Sequence, residues 1–160
     1  MKVQVDVSYA TEDDSIPEAG RIADWVERTV AAVCDTGDFE VSVRVVDAEE
    51  IRALNKEYRD KDKPTNVLSF PAGQVDGLPA AEPQSLGDVV VCAGVVRDEA
   101  AAQRKADADH WAHMLVHGTL HLLGFDHETD ADALEMEALE VSILATRGLA
   151  DPYGAAGENC

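Results

Sequence analysis

Histidines in one short apolar segment constrain this chain more than any other feature. All five histidines of the 160-residue sequence lie within residues 110–127. His117 and His121 are one helical turn apart, so a helix projects both imidazoles from one face. Gly124 can take the left-handed conformation that ends a helix, and the reversed chain then brings His127 towards the same point. We therefore predict a metal centre whose ligands are these three histidines.

The open coordination position of such a centre indicates catalysis. Three protein nitrogens leave a tetrahedral ion one free position, whereas a structural zinc site recruits a fourth side chain. The pattern HxxxHxxGxxH is also the outline of the metzincin peptidases, but Gly118 stands where those enzymes carry glutamate. Because that glutamate is their general base, its loss argues against a peptidase unless another carboxylate substitutes. The reaction should then rely on the metal, which lowers the pKa of a bound water to about 7.

Two further segments share a pattern with the histidine motif. Residues 54–71 read LNKEYRDKDKPTNVLSFP, and residues 86–91 read LGDVVV. Together the three segments closely resemble the YbeY family of bacterial rRNA-maturation endoribonucleases, over about residues 40–145. The resemblance implies a zinc-dependent endoribonuclease specific for single strands. It implies action in maturing the 3′ end of small-subunit (16S) rRNA and in ribosome quality control.

The resemblance also assigns residues and partners. It implies one Zn²⁺ per chain at His117, His121 and His127, and it matches Arg59 to the family's functional arginine, which we expect to be catalytic. Single-stranded rRNA, the small ribosomal subunit and its assembly factors are the expected partners. Asn66 departs from the family pattern, which usually has aspartate after Pro-Thr, so a role for a carboxylate at that position is in doubt.

Arg59 suits phosphate chemistry because its planar fork of donors can hold two oxygens as negative charge develops on them. His113, one turn before His117, has either an acid/base or supporting role or an ordinary hydrogen bond, and the second is favoured. Asp126 either orients a ligand imidazole or turns the loop. Tyr58 is the single candidate for base stacking.

The net charge of the chain conflicts with an RNA substrate. A charge of −19 and a pI near 4.3 have the wrong sign for binding phosphates. Residues 44–63, however, hold six of the 13 basic residues and an equal number of acidic ones, so this window is neutral. A local cationic groove is possible because charges beyond about 8 Å are largely screened. The alternative for any single lysine is an ordinary solvated charge.

Composition and periodicity predict an α+β fold. At 46% hydrophobic residues, the chain fits one small domain over residues 1–160, with a mixed four-stranded sheet packed by about five helices, one of them a zincin-like metal helix. Capping boxes are predicted at Ser15–Glu18 and at Asp47 with Glu50. The predicted strands lie at about 3–9, 41–45, 66–70 and 86–92, and the predicted helices at about 18–37, 47–58, 94–108, 110–123 and 129–146.

The remaining segments carry weaker expectations. A loop over residues 71–86, rich in proline and glycine, is either functional or disordered. The acidic residues of the last helix, Glu140 among them, should form solubilising surface. Trp25 and Trp111 should lie in the core. The N-terminus lacks the apolar run of a signal peptide or membrane span, which predicts a cytoplasmic protein without a membrane partner. Three distant cysteines predict free thiols, Cys34, Cys92 and Cys160.

Two other functions stay open at this point. A metal-dependent peptidase or amidase would need a carboxylate that faces the metal from another element, for which Asp88 and Glu135 are the candidates. A non-catalytic ribosome-assembly factor would use zinc for folding and would bind its partners through the acidic last helix.

Overall fold

A computed structural model describes residues 2–14, 16–72 and 84–153. Four strands and five helices follow one another along these residues. The strands are β1 (Lys2–Ala10), β2 (Asp38–Val46), β3 (Val67–Pro71) and β4 (Gln84–Cys92), and the helices are α1 (Ala19–Val33), α2 (Ala48–Arg59), α3 (Ala93–Ala102), α4 (Asp107–Leu122) and α5 (Asp130–Ala145). The predicted α+β fold with a four-stranded mixed sheet and five helices is confirmed.

The strands form one sheet in the order β1-β2-β4-β3. β1 and β4 both run parallel to β2, with Val5 opposite Val41 and Val43 opposite Val89. β3 runs antiparallel to β4 and occupies an edge, with Ser69 opposite Val89. Parallel strands are usually buried on both faces, and the consecutive valines of β4 fit that position.

Helix α4 lies at the centre of the packing. On one side its Trp111 and Leu115 join α1 and the side chains of β2 and β4 in a common core. On the other side, Val116 and Leu120 pack against Met136 and Ile143 of α5, among others. α2 covers the opposite face of the sheet, where Ile51 contacts Val90 and Leu68. The helix that carries the histidines is thus held between the sheet and α5.

Both predicted capping boxes are wrong, although the elements are present. Glu18 is the N-cap of α1 and makes no side-chain cap bond, while Ser15 lies outside the described residues. Asp47 is the N-cap of α2, but its carboxylate accepts a hydrogen bond from the Thr11 hydroxyl and caps nothing. Glu50 instead pairs with Arg44, 2.7 Å between Nε and Oε2. At α2, partners outside the helix have displaced the local cap.

Some predicted boundaries also differ from the structure. α3 ends at Ala102 instead of residue 108, because the chain turns at Arg104, which has a φ of 55°. The predicted loop over residues 71–86 is partly strand: Pro71 ends β3, and β4 begins at Gln84. The part of that loop between 73 and 83 lies outside the described residues.

Other expectations can be compared directly. Trp111 is 1% exposed, and Trp25 packs against the same core, so both tryptophans are core residues as predicted. Cys34 and Cys92 are free, and Cys160 lies outside the described residues. Among the helices of the described residues, none combines the length and apolar character that a membrane crossing requires.

Candidate metal centre and adjoining groove

The three histidines of the predicted metal centre converge in the structure. His117 and His121 project from α4, and their Nε2 atoms are 3.1 Å apart. His127 comes from the loop beyond the helix, with its ring centroid 5.7 Å from that of His117 and 5.2 Å from that of His121. One nitrogen of each residue lies within 4.8 Å of the others. These three residues could hold a metal ion, and we call them the histidine wall.

The donor set fits zinc. Two nitrogens bound tetrahedrally at about 2.0–2.1 Å would be about 3.3 Å apart, close to the 3.1 Å between His117 and His121. Burial lowers the pKa of His121, and the neighbouring His117 and His127 lower it further. A lowered pKa keeps the imidazole neutral, which is the form that binds a metal.

The turn that brings His127 into place is the predicted one. Gly124 has a φ of 97°, in the region that favours glycine, and its backbone N–H donates to the His121 carbonyl at 3.1 Å. Asp126 accepts a hydrogen bond from the His127 backbone N–H at 2.7 Å. Of the two roles considered for Asp126, the structure therefore supports the turning of the loop.

Gly118 explains why no glutamate stands in the helix motif. A Cβ atom at this position would lie 2.8 Å from Cγ1 of Val89 and 3.1 Å from Cγ2 of Val67. The Ser69 hydroxyl also donates to the Gly118 carbonyl at 2.8 Å, which ties α4 to β3. Position 118 thus faces the sheet at close approach, where a longer side chain would clash.

Glu140 is a site residue that sequence reasoning missed. The prediction of solubilising surface is wrong for this residue, because Glu140 is fully buried (0% exposed). Its Oε1 lies 2.6 Å from Nδ1 of His117, and its Oε2 lies 3.1 Å from Nε2 of His113. Burial alone would raise the pKa of Glu140, but hydrogen bonds from His113, His117 and Tyr153 outweigh it and lower the pKa to about 2.

A signal for Glu140 was present in the sequence. Met136, Ile143 and Leu144 form the buried stripe of α5, and position 140 falls within that stripe at helical spacing. A carboxylate on the apolar face of a helix needs a partner, and unpaired histidines lay one segment upstream. His113 is buried and hydrogen-bonded to Glu140, as the favoured interpretation predicts, and through this carboxylate it also adjoins the ligand His117.

A groove of about 730 Å³ opens beside the histidine wall, between α4 and the end of α2. The groove is also lined by Arg59, Lys61 and Lys63, which are all exposed and which we call the cation wall. The Arg59 guanidinium donates from Nη2 to the Ser69 carbonyl at 2.9 Å and lies 5.5 Å from the Phe70 ring centroid. The structure therefore brings all four predicted site residues to one groove.

Asn55 holds the loop residues of the cation wall through its side chain and its backbone. Asn55 is 3% exposed, and its Nδ2 donates to the Lys63 carbonyl at 2.9 Å. The Lys61 backbone N–H donates to the Asn55 carbonyl at 3.2 Å. The other two arginines of the basic window are paired with carboxylates, Arg44 with Glu50 and Arg52 with Asp62.

Asn66 lines the same groove, but its side chain is hydrogen-bonded to Glu99 of α3. Its Nδ2 donates to Oε1 of Glu99 at 3.0 Å, and the same oxygen lies 2.9 Å from Nε2 of His110. Asp88 and Glu135, the carboxylates proposed for a peptidase, are exposed and are not among the residues that line the groove. No support for the peptidase alternative comes from either.

Comparison with known proteins identifies the family. The profile described as "Endoribonuclease YbeY" matches residues 6–148. A curated protein named endoribonuclease YbeY from Halorhodospira halophila is 59% identical over 139 residues, which cover 87% of this chain and 89% of the relative. A protein of the same name from Alcanivorax borkumensis is 48% identical over 154 residues, 95% of this chain and 87% of the relative.

The fold matches a solved structure as well. The solution structure of TM1509 from Thermotoga maritima is similar with a TM-score of 0.59 and 25% identity, and the match covers 98% of this chain and 93% of that one. Because the family profile spans most of the sequence and curated relatives exceed 45% identity over nearly their whole length, the chain belongs to the endoribonuclease YbeY family.

Proposed function

We propose that this protein is a zinc-dependent endoribonuclease that cleaves single-stranded RNA, matures the 3′ end of small-subunit (16S) rRNA and acts in ribosome quality control. Family membership supports RNA hydrolysis in rRNA maturation. The observation that carries the proposal is that a convergent three-histidine cluster and Arg59 line the same groove.

His117, His121 and His127 are the proposed ligands of one zinc ion per chain. A zinc ion bound there supplies Lewis-acid stabilisation of a phosphoryl oxygen and lowers the pKa of water. The buried position of α4 between the sheet and α5 holds the ligand rings in fixed directions, which reduces the reorganisation required during the reaction.

Arg59 is the proposed catalytic residue of the cation wall. Hydrogen bonds to the carbonyls of Ser69 and Tyr58 engage two of the five guanidinium N–H donors. The remaining donors can hold two oxygens of the scissile phosphate as charge builds on them. Arg59 is always protonated, so it stabilises charge and moves no proton.

The side chains around Arg59 support single-stranded RNA as the substrate. Lys61 and Lys63 lie beside Arg59 and can bind the phosphates that flank the cleaved bond. Exposed Tyr58, whose ring packs edge-on against Phe70 at 5.1 Å, offers a surface on which a base can stack. The small ribosomal subunit and its assembly factors are the proposed partners, and residues 1–160 are proposed to act in the cytoplasm as one domain.

Cleavage assays on RNA and on peptides test this function. Zinc-loaded protein is incubated with single-stranded rRNA fragments, the same fragments annealed to complements, and a peptide pool. We expect cleavage of the single strands, protection by annealing, and loss of activity in a His121→Ala variant. Cleavage of peptides with indifference to RNA would overturn the proposal. A folded zinc-loaded protein that cleaves nothing would favour the assembly-factor alternative.

A further inference from the structure

Glu140 is a buried charge that the proposed reaction does not use directly. Moving a carboxylate out of water is costly unless several hydrogen bonds compensate it. In this protein, its two oxygens meet His117, His113 and the hydroxyl of Tyr153. Both carboxylate oxygens of Glu140 therefore have partners, which indicates a purpose beyond packing, because an apolar side chain would fill the same space at lower cost.

The bond to His117 determines which nitrogen of that ring is available. Because an ionised carboxylate only accepts hydrogen bonds, the 2.6 Å between Nδ1 and Oε1 implies that Nδ1 keeps its hydrogen and donates a hydrogen bond to the carboxylate. Nε2 is then left with its lone pair, and this is the atom that lies 3.1 Å from Nε2 of His121. The hydrogen bond thus fixes both the tautomer and the rotation of the ring.

The carboxylate itself is held from its other oxygen. The Tyr153 hydroxyl donates to Oε2 and also lies 3.0 Å from Nε2 of His113. The Tyr153 and His113 rings meet edge to face, with centroids 5.3 Å apart. Although the tyrosine is 45% exposed as a whole, its hydroxyl reaches a carboxylate with no exposure. Segment 151–153 therefore closes the network from outside the helices.

We propose that Glu140 is a positioning residue of the metal centre: held by Tyr153 and His113, it fixes His117 with Nε2 directed at the ion. This inference rests on the proposed function, since it assumes that the histidine wall binds the metal. A carboxylate behind a ligand imidazole also raises the basicity of the ligand, which strengthens metal binding.

A second metal site formed by His113, His117 and Glu140 is the competing interpretation. Ligand atoms of these residues also lie within 4.8 Å of one another. Two ligands of one tetrahedral zinc would be about 3.3 Å apart. The 2.6 Å between His117 and Glu140 is shorter than that and matches a charge-assisted hydrogen bond. The geometry therefore favours a clamp on His117 over a second ion.

Zinc affinity tests the clamp. Dissociation constants are measured by chelator competition for the wild type, Glu140→Gln and Tyr153→Phe, with folding checked by circular dichroism. Glutamine keeps an acceptor oxygen but loses the charge, so we expect zinc binding to weaken about 10- to 100-fold. Tyr153→Phe removes one support of the carboxylate and should weaken binding about 3- to 10-fold.

Glu99→Gln is the matched control. Glu99 of α3 lies 2.9 Å from His110, which is on α4 like His117. Because His110 is not part of the histidine wall, zinc affinity should be unchanged in Glu99→Gln. A general loss of helix stability would weaken binding in both glutamine variants, whereas the clamp predicts an effect only in Glu140→Gln.

Nitrogen-15 NMR of the wild type gives an independent readout that survives misfolding of a variant. We expect the metal-free protein to show His117 protonated at Nδ1. Protonation at Nε2, equal zinc affinity in Glu140→Gln, or two zinc ions per chain would each overturn the inference. If the wild type binds no zinc, the proposed function fails and this inference with it. If the wild type binds zinc and Glu140→Gln binds it equally well, the inference about Glu140 fails and the proposed function stands.

Discussion

The histidine wall and the cation wall line one groove, but the two helical histidines and the cations are held in different ways. His117 and His121 extend from a helix packed on two sides by buried side chains, and a buried carboxylate fixes one of their rings. Arg59, Lys61 and Lys63 are exposed, and the loop that carries the lysines is held by Asn55 and by the ion pair between Arg52 and Asp62. Metal coordination needs nitrogens placed within tenths of an ångström, whereas attraction of a phosphate tolerates a longer and more flexible contact. The contrast predicts that the two walls fail differently when they are altered.

The largest effect is expected in the histidine wall. His121→Ala removes a ligand from the cluster, so the zinc content should fall from about one per chain to near zero and RNA cleavage to background. The partly buried His121 ring belongs to neither of the two apolar clusters that pack α4, so the circular dichroism spectrum should remain largely helical. Elemental analysis measures the metal. His110→Gln, a change outside the cluster on the same helix, is the control and should keep its zinc. Full metal retention in alanine variants of all three histidines would contradict the assignment.

Arg59→Lys comes next and separates shape from charge. Lysine keeps the positive charge but cannot offer two parallel donors to a phosphate, so cleavage should slow about 100-fold while metal content stays the same. Single-turnover rates on a short single strand give the measurement. Arg52→Lys, the same change on the same helix, affects an arginine paired with Asp62 outside the groove and should leave the rate unchanged. A wild-type rate for Arg59→Lys would show that the bidentate role is wrong.

A third test concerns the support behind the histidine wall. Gly118→Val places methyl groups where even a Cβ meets Val89 at 2.8 Å, so the free energy of unfolding should fall by about 1–3 kcal/mol. Denaturant titration of the metal-free proteins measures it. Gly20→Val is the matched control, because nothing lies within 4 Å of a Cβ at that helical glycine. Equal stability losses in the two variants would show that close approach to the sheet is not the reason for the glycine.

The smallest effects are expected in the cation wall. Few phosphate contacts predict a shallow slope of log affinity against log salt, about −1 to −3, since each contact to a single strand contributes about −0.7. Lys61→Ala and Lys63→Ala should each flatten the slope by about 0.7 and leave metal content unchanged. Fluorescence anisotropy with labelled RNA measures the slope, and Lys2→Ala, far from the groove on β1, serves as control. A wild-type slope near −6 would reveal a much larger basic surface than this groove.

The two walls also differ in how far their residues could be predicted from the sequence. The spacing of His117 and His121 and the turn at Gly124 follow from local helix geometry, so the sequence sufficed to predict their convergence. Arg59 was found only by resemblance to a family, because nothing in its neighbourhood distinguishes it from the other basic residues of the window. Local rules predict contacts between neighbours along the chain and not across a groove.

Glu140 and the helix caps show where such reasoning failed. Glu140 was assigned to an acidic surface from composition, although its position among Met136 and Ile143 on α5 placed it in the core. Asp47 was assigned to a cap, but Thr11 on a distant segment bonds its carboxylate. In each case a polar side chain is hydrogen-bonded to a residue remote in sequence, and such contacts form only in the assembled fold.

Arg59 has a consequence for the protein that is independent of RNA. β3 is an edge strand, and an edge with open N–H and C=O groups is a template on which another chain can add a strand and begin an aggregate. The guanidinium of Arg59 covers the Ser69 carbonyl of this strand, and Pro71 at its end has no N–H to offer. The same side chain therefore covers part of one edge of the sheet against self-association, and variants that shorten it to alanine should be watched for aggregation as well as for lost activity.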